Sequence, residues 1–208
     1  MTPKLEDKEV QRLLRKLDAT HEPDYLNITP EVGAETKDCF IVVQNKVNND
    51  GGRMIMGWQI WKGKYLIEAE CHAVWEDEDK QLHDITPKEF DVDKILFVED
   101  EKLIYDNKQI DNVRINTTNN SLVDDLILVC EAIYRFDNKG ERATLYDLST
   151  VLDEAQIKHK EYLMMLKGFI NTILVKNGSR KSLCPCQSGI KFVDCHGKDL
   201  KKRIQKDI

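Results

Sequence analysis

The sequence lacks long hydrophobic runs. No stretch of about 18 consecutive apolar residues, the length that a transmembrane helix needs, occurs in the 208 residues. The beginning of the chain also lacks the apolar segment behind basic residues that marks a secretory signal peptide. With 33% charged residues, the chain is predicted to be a soluble globular protein without a membrane span, and the reducing cytoplasm is the expected compartment.

The sequence also lacks the cysteine distribution of a disulfide framework. Cys39, Cys71 and Cys130 are scattered through the first 175 residues, whereas the other three of the six cysteines lie between 184 and 195. Clustering of this kind is typical of metal ligation.

The C-terminal cysteine cluster has the spacing of a zinc site. Residues 183–197 read LCPCQSGIKFVDCHG, in which Cys-x-Cys is followed, after eight residues, by Cys-His. Three thiolates and one imidazole suit a closed tetrahedral site for Zn²⁺. A segment this short cannot bury enough apolar surface to fold alone, so metal binding would supply its folding energy. The predicted zinc ligands are Cys184, Cys186, Cys195 and His196.

The same segment resembles the SEC-C zinc motif, which occurs at the C-terminus of the preprotein translocase ATPase and in many unrelated bacterial proteins. The resemblance includes the Cys-Pro-Cys and Cys-His-Gly ends, Ser188-Gly189 and Lys191-Phe192. Gln187 stands where the motif usually has glycine. The resemblance implies a non-catalytic module that binds a partner such as a chaperone or the ribosome.

The charge of the chain is uneven along its length. Residues 176–208 contain nine Lys or Arg and three Asp or Glu, a net charge of +6, whereas the remaining residues contain 22 and 34, a net charge of −12. The basic tail is expected to favour an acidic protein face or RNA, and a solvated tail without a partner is the alternative. Aromatic residues do not alternate with the basic ones, so sequence-specific recognition of nucleic acid is not indicated. The basic run consists of Lys198, Lys201, Lys202, Arg203 and Lys206.

A β-hairpin is predicted for residues 65–86. An apolar run of strand length precedes the acidic turn Glu-Asp-Glu-Asp-Lys, and a second short run follows it. Side chains of a strand alternate between two faces, which places Glu68, Glu70 and His72 on a polar face. The opposite face is expected to point into the core.

One register of this hairpin would create a His–Asp pair. If the turn is centred on Glu78, His72 lies opposite Asp84, at the separation of cross-strand neighbours. Asp84 could then accept a hydrogen bond from Nδ1–H of the imidazole and leave Nε2 free as a base. A turn centred one residue away would break this pairing.

Cys39 is predicted to lie in the first turn of a helix. Residues 35–47 are bounded by Thr36 or Asp38 as a cap and by an Asn/Gly cluster at the C-terminal end. The free amides and the dipole of a helix N-terminus stabilise a thiolate, so Cys39 is a candidate nucleophile. A small buried core residue is the alternative role of this cysteine.

The order Cys39, His72, Asp84, on a helix followed by strands, resembles the transglutaminase-like and broader papain-like cysteine hydrolases. The segments that carry the resemblance are His72-Ala-Val-Trp75 and Asp84-Ile-Thr-Pro87 within residues 36–87. The resemblance implies that His72 deprotonates Cys39, that Asp84 orients His72, and that the thiolate attacks an acyl carbon.

A metal site is a competing interpretation of the hairpin's polar face. Glu68, Glu70 and His72 alternate along one strand, and carboxylate with imidazole suits a divalent ion. The row spans roughly 13 Å, so only two of these residues, joined by His83 or Asp84, could reach a single ion.

These features together predict an α+β protein, with an antiparallel sheet packed against helices and a small C-terminal zinc module. Residues 1–175 are expected to form the body, 176–182 a linker, and 183–208 the zinc module with its basic tail. Strands are also predicted at 95–98 and 102–105. Two functions are left open. One is a cysteine hydrolase or acyltransferase acting on an amide or thioester, and the other is a non-catalytic adaptor whose tail docks a cytoplasmic protein or a ribosomal partner.

Overall fold

The computed structural model describes residues 1–145 and 147–205. The chain divides into two compact units. The first unit contains residues 1–106 and 112–117, and the second contains 107–111 and the described residues from 118 onward. This division groups residues 118–175 with the C-terminal Cys/His segment, whereas the sequence analysis placed them in one body with the sheet.

The first unit is an antiparallel sheet with two helices. Helix α1 begins at Lys8 and buries Val10, Leu13 and Leu17, which are spaced along one face of the helix. Helix α2 follows β1 and precedes the long hairpin. The bounds are α1 Lys8–Leu17, β1 Asp24–Asn27, α2 Cys39–Asp50, β2 Arg53–Lys62, β3 Leu66–Glu76, β4 Leu82–His83, β5 Lys94–Glu99 and β6 Val113–Asn116.

The six strands form one sheet in the order β1-β5-β2-β3-β4, and β6 pairs with β3. The consecutive pairs β2–β3 and β3–β4 make the antiparallel meander of the hairpin region. A parallel bridge between Ile28 and Asp84 brings the chain after β1 to the chain after β4, so the sheet nearly closes into a barrel. The α+β prediction with an antiparallel sheet is therefore confirmed. The predicted strand at 102–105 is wrong, since that segment has no strand assignment.

The hairpin turn is centred one residue later than the predicted dyad required. Trp75 pairs with His83 and Glu76 pairs with Leu82, so the centre is Asp79 rather than Glu78. In this register the strand pairing does not bring His72 opposite Asp84. The pairing ends at His83, however, and the chain then leaves β3.

Strand β3 has a gap along its outer edge. Its residues 66–69 pair with β6, and Trp75 and Glu76 pair with β4. Among the described residues, the ladders leave residues 70–74 without a strand partner on this edge. His72 lies in the middle of this gap.

Both faces of β3 are buried in its second half, which corrects the expectation of a solvated polar face at His72. Helix α2 covers one face, where Val42 and Val43 pack with Ala73. The curled sheet covers the other face, where Val74 packs with Phe97. Strands that contact layers on both sides lose the simple alternation of polar and apolar residues.

The second unit is helical. Asn120 caps α3 by accepting a hydrogen bond from the Leu122 amide, and Asp153 and Gln156 form a capping box at the start of α4. The helices are α3 Ser121–Asp137, α4 Glu154–Val175 and α5 Leu200–Gln205. Across the described residues, no helix combines the length and apolar character that a bilayer crossing requires.

Candidate functional site

The four predicted zinc ligands converge in the second unit. Their ligand atoms all lie within 4.8 Å of one another. His196 Nδ1 lies 3.2 Å from Cys184 Sγ and 3.3 Å from Cys195 Sγ, and the Sγ atoms of Cys186 and Cys195 are 3.6 Å apart. Tetrahedral zinc, with Zn–S near 2.3 Å and Zn–N near 2.0–2.1 Å, sets ligand atoms about 3.6–3.8 Å apart. The Cys186–Cys195 separation has this spacing and the two distances from His196 to sulfur are shorter, so the cluster could hold a tetrahedral metal ion after small side-chain shifts.

Short-range backbone contacts hold the ligands in place. The Cys184 amide donates to the Ile190 carbonyl at 2.8 Å, which closes the loop that carries Cys186. Phe192 is fully buried, and the Gly197 amide donates to its carbonyl at 2.7 Å. A Cβ at Gly197 would come within 2.6 Å of the Phe192 ring, so this close approach requires glycine.

Contacts with the second unit's other elements orient the ligands. The ring of Phe169, on α4, meets the His196 ring edge-on at 5.1 Å. Arg203 donates to the His196 carbonyl, and Arg180 donates to the Gly197 carbonyl at 2.8 Å. The contact of Cys186 with the Ser188 hydroxyl lowers the pKa of this thiol to about 6, which favours the thiolate that a metal ion binds.

In the first unit, the structure brings Cys39, His72 and Asp84 together. Cys39 is the first residue of α2, His72 lies in the gap of β3, and Asp84 is the first residue after β4. His72 Nε2 is 3.0 Å from Asp84 Oδ1, and both side chains are almost fully buried. The Cys39 thiol interacts with the His72 ring and raises its pKa.

The orientation of the imidazole differs from the expected one. Asp84 faces Nε2 rather than Nδ1, so Nδ1 is the nitrogen left to exchange a proton with a thiol. The Asp84 carboxylate is held by its own turn as well, because the Thr86 amide donates to Oδ1 at 3.2 Å. The pair therefore has a fixed carboxylate on one side of the ring.

Lys88 is a member of the cluster that the sequence analysis missed. Its Nζ lies 2.7 Å from Asp84 Oδ2 and 3.2 Å from His72 Nε2, and its side chain is 8% exposed. The spacing Asp84 to Lys88 is the sequence signal that could have revealed the ion pair, but nothing in the sequence showed that the pair is buried.

Burial and charge oppose each other at the His–Asp pair. Burial disfavours the protonated His72 ring, but hydrogen bonds with Asp84 and Cys39 outweigh it, so the pKa of His72 is raised. Lys88 acts in the opposite direction and lowers the pKa of His72. Burial also opposes ionisation of Asp84, yet its contacts with His72 and Lys88 hold the pKa of Asp84 below its usual value.

The start of α2 leaves its first amides free of a side-chain cap. Asp38 is the N-cap residue, but its side chain makes no capping hydrogen bond. Neither residue predicted as a cap is therefore seen to cap the helix with its side chain. The Cys39 thiol consequently lies at a helix end whose amides can stabilise negative charge. Cys39 itself is only 5% exposed, with Phe40 and Ala34 packed around its cluster.

The competing metal site on β3 is not assembled. Glu68 pairs with Arg114, and Glu70 accepts hydrogen bonds from Gln59 and Trp61, so neither carboxylate joins His72. A different group, His21, Glu99 and Glu101, places its ligand atoms within 4.8 Å of one another, and its members are half-buried or exposed.

Comparison with known proteins finds a family match for one segment of the chain. The SEC-C motif family model matches residues 180–198, which confirms the resemblance of the zinc segment. No curated protein and no solved structure matches the chain. The transglutaminase-like resemblance of residues 36–87 therefore gains no support, and the SEC-C motif with its four converging ligands is the relationship that is shown.

Proposed function

We propose that the first unit is a cysteine-dependent hydrolase or acyltransferase that acts on an amide or thioester. The observation that supports this proposal is the buried His72–Asp84 pair, with Nε2 and Oδ1 3.0 Å apart, beside a cysteine at the start of a helix. A nucleophile, a base and a group that orients the base are the minimum that this chemistry needs.

In the proposed reaction, the Cys39 thiol transfers its proton to Nδ1 of His72, and its sulfur forms a bond to the acyl carbon of the substrate. The tetrahedral adduct then breaks its bond to the leaving amine or thiol, which takes the proton from His72. Water, or another acceptor, releases the acyl group from Cys39 and restores the thiol. Asp84 keeps Nε2 hydrogen-bonded and favours the transient imidazolium.

The burial of Cys39 makes native-state labelling the deciding measurement. We expect iodoacetamide to alkylate Cys39 in the folded, zinc-loaded protein, where zinc masks the C-terminal thiols, with labelling read by peptide mass. Replacing His72 with Gln should slow this labelling because the thiol loses its proton acceptor and less of the reactive thiolate forms. A screen for amide and thioester hydrolysis would then follow.

Cys71 is the matched control within the same molecule. It is buried, and burial raises its pKa to about 12, so it should remain unlabelled in the folded state. Labelling of Cys39 only after denaturation, or at a rate that His72→Gln leaves unchanged, would contradict the proposed role.

For the second unit we infer that Zn²⁺ is the ion held by Cys184, Cys186, Cys195 and His196. The three sulfur ligands and one nitrogen ligand favour Zn²⁺ over oxygen-seeking ions. With four protein ligands, the metal would have no open position for substrate, so its role is structural.

An adaptor function is the second candidate, and the match to the SEC-C motif at residues 180–198 favours it. Lys198, Lys201 and Lys202 are exposed beside the metal segment, where they could attract a cytoplasmic acidic protein face or ribosomal RNA. Lys206, the last member of the predicted basic run, lies outside the described residues.

Co-sedimentation with ribosomes, or capture by acidic protein, at low and high salt tests this role. The double variant Lys201→Glu/Lys202→Glu should abolish salt-sensitive binding. The control variant Lys4→Glu/Lys8→Glu makes the same change of net charge in the first unit and should bind normally. Equal binding by both variants would reject docking through the basic tail.

A further inference from the structure

We infer that Lys88 is a positioning residue of the Cys39–His72–Asp84 cluster, which fixes the Asp84 carboxylate against His72 and opposes protonation of the imidazole by Asp84. This inference rests on the proposed function and assigns a role to a fourth residue of the same site.

The position of Lys88 is unusual for a lysine. Its side chain is 8% exposed and Asp84 is fully buried, and lysine is almost never buried unless it is paired. The carboxylate 2.7 Å away compensates the ammonium group for its lost hydration. Lys88 and Asp84 therefore form a unit in which each charge depends on the other.

The two oxygens of Asp84 have separate partners. Oδ1 lies 3.0 Å from His72 Nε2, and Oδ2 lies 2.7 Å from Lys88 Nζ. Because the ammonium group holds Oδ2, the carboxylate cannot turn without breaking a buried ion pair. Oδ1 is thereby kept in line with the imidazole, and Nδ1 remains directed away from the carboxylate.

The same arrangement controls the charge of His72. The groups that face this ring are Cys39 from α2, and Asp84 and Lys88 from the segment after β4. Because the Lys88 charge offsets that of Asp84, the carboxylate favours a proton on His72 less strongly than it would without Lys88. Without Lys88, the Asp84 charge would be left to hold the imidazole in its protonated form, which cannot accept the thiol proton.

The alternative role of Lys88 is purely structural, as an ion pair that anchors the chain after β4. The titration of His72 distinguishes the two roles, because an anchor has no reason to set the protonation of the ring. The full-length, zinc-loaded protein is labelled with ¹³C at histidine Cε1 and titrated by NMR, and the His72 signal is assigned by its loss in His72→Gln.

Lys88→Met should raise the His72 titration midpoint by about one pH unit or more, the shift typical of a neighbouring charge. Lys88→Gln should raise the His72 midpoint as well. Because glutamine retains a hydrogen-bond donor for Asp84, this variant replaces Lys88→Met if the latter does not fold. Lys37→Met, which breaks an exposed ion pair with Glu89 in the same unit, is the control and should leave the midpoint unchanged.

A folded Lys88 variant whose His72 midpoint equals that of the wild type would overturn the inference. This outcome is separable from failure of the proposed function. Unreactive Cys39 would reject the hydrolase but would still allow the His72 titration to be measured, whereas an unshifted titration rejects only the role of Lys88.

Discussion

Replacing Asp84 with Asn tests how strongly the buried ion pair supports the first unit. Asparagine keeps the size of the side chain and an acceptor for His72, but it removes the charge opposite Lys88. At the observed 2.7 Å and an effective dielectric constant of about 20, the attraction is about 6 kcal/mol before desolvation is subtracted. Leaving a buried partner unmatched typically lowers the free energy of unfolding by about 3–5 kcal/mol.

A double-mutant cycle isolates the pair from the other effects of each substitution. Lys88→Met alone should be tolerated better than Asp84→Asn, because Asp84 still has His72 as a partner. In the double variant the Lys88 charge is also gone, so its loss of stability should be smaller than the sum of the two single losses by at least about 2 kcal/mol.

Tryptophan fluorescence during urea unfolding is the suitable assay. The three tryptophans of the chain, Trp58, Trp61 and Trp75, all lie on β2 and β3. Their emission therefore reports the unfolding of the first unit without a contribution from the second. Additivity of the two substitutions within about 0.5 kcal/mol, the limit expected for independent sites, would refute the inference that Lys88 and Asp84 stabilise one another.

Three further predictions concern other parts of the chain. Cys184→Ser should reduce the zinc content measured by elemental analysis and expose the amides of residues 183–197 to hydrogen exchange, whereas Cys130→Ser, outside the cluster, should change neither. Burial raises the pKa of Asp125 to about 6, so the folded state binds the carboxyl proton more tightly than the unfolded chain does. The free energy of unfolding should therefore fall as pH rises from about 4 to 6. Asp125→Asn should flatten this slope in urea titrations followed by far-UV circular dichroism. At Gly57 a Cβ would approach the Val98 carbonyl to 2.3 Å, so Gly57→Ala should destabilise the first unit by roughly 2 kcal/mol or more in the fluorescence assay, and an unchanged unfolding midpoint would refute this packing.

The Cys/His cluster could be predicted from the sequence because its information is local. All four ligands lie within 13 residues, from Cys184 to His196, and the hydrogen bonds that fold the segment join neighbours in sequence. The departure at Gln187 is also local, since this residue has φ of 64°, in the left-handed region that favours glycine. The residue that the motif usually carries suits this backbone conformation better.

The Cys–His–Asp cluster shows where local information ends. The sequence identified residues that do meet, but it gave a wrong reason for the meeting. The predicted cross-strand contact needed a turn centred on Glu78, and the turn is centred on Asp79. His72 and Asp84 approach each other because β4 ends after two residues and the chain then bridges to Ile28.

The burial of this cluster also depends on distant parts of the chain. The alternation along β3 predicted a solvated polar face, but β5 and α2 cover its second half. A histidine that would titrate freely on a surface is thus enclosed with an aspartate and a lysine, and the direction of its pKa shift follows from that enclosure. The local periodicity of β3 does not predict this burial, because α2 and β5, which cover the strand, are separated from it in sequence.

The sequence by itself determined the α+β class, the members of the C-terminal Cys/His cluster and the placement of Cys39 in the first turn of α2, since each of these depends on residue types within a few turns of chain. Only the tertiary structure decided the register of the hairpin, the imidazole nitrogen that faces Asp84, and the burial of Lys88 beside both. These features depend on closure of the sheet through contacts between residues far apart in sequence. A shift of one residue in strand pairing is enough to change them, and composition and periodicity do not specify that pairing.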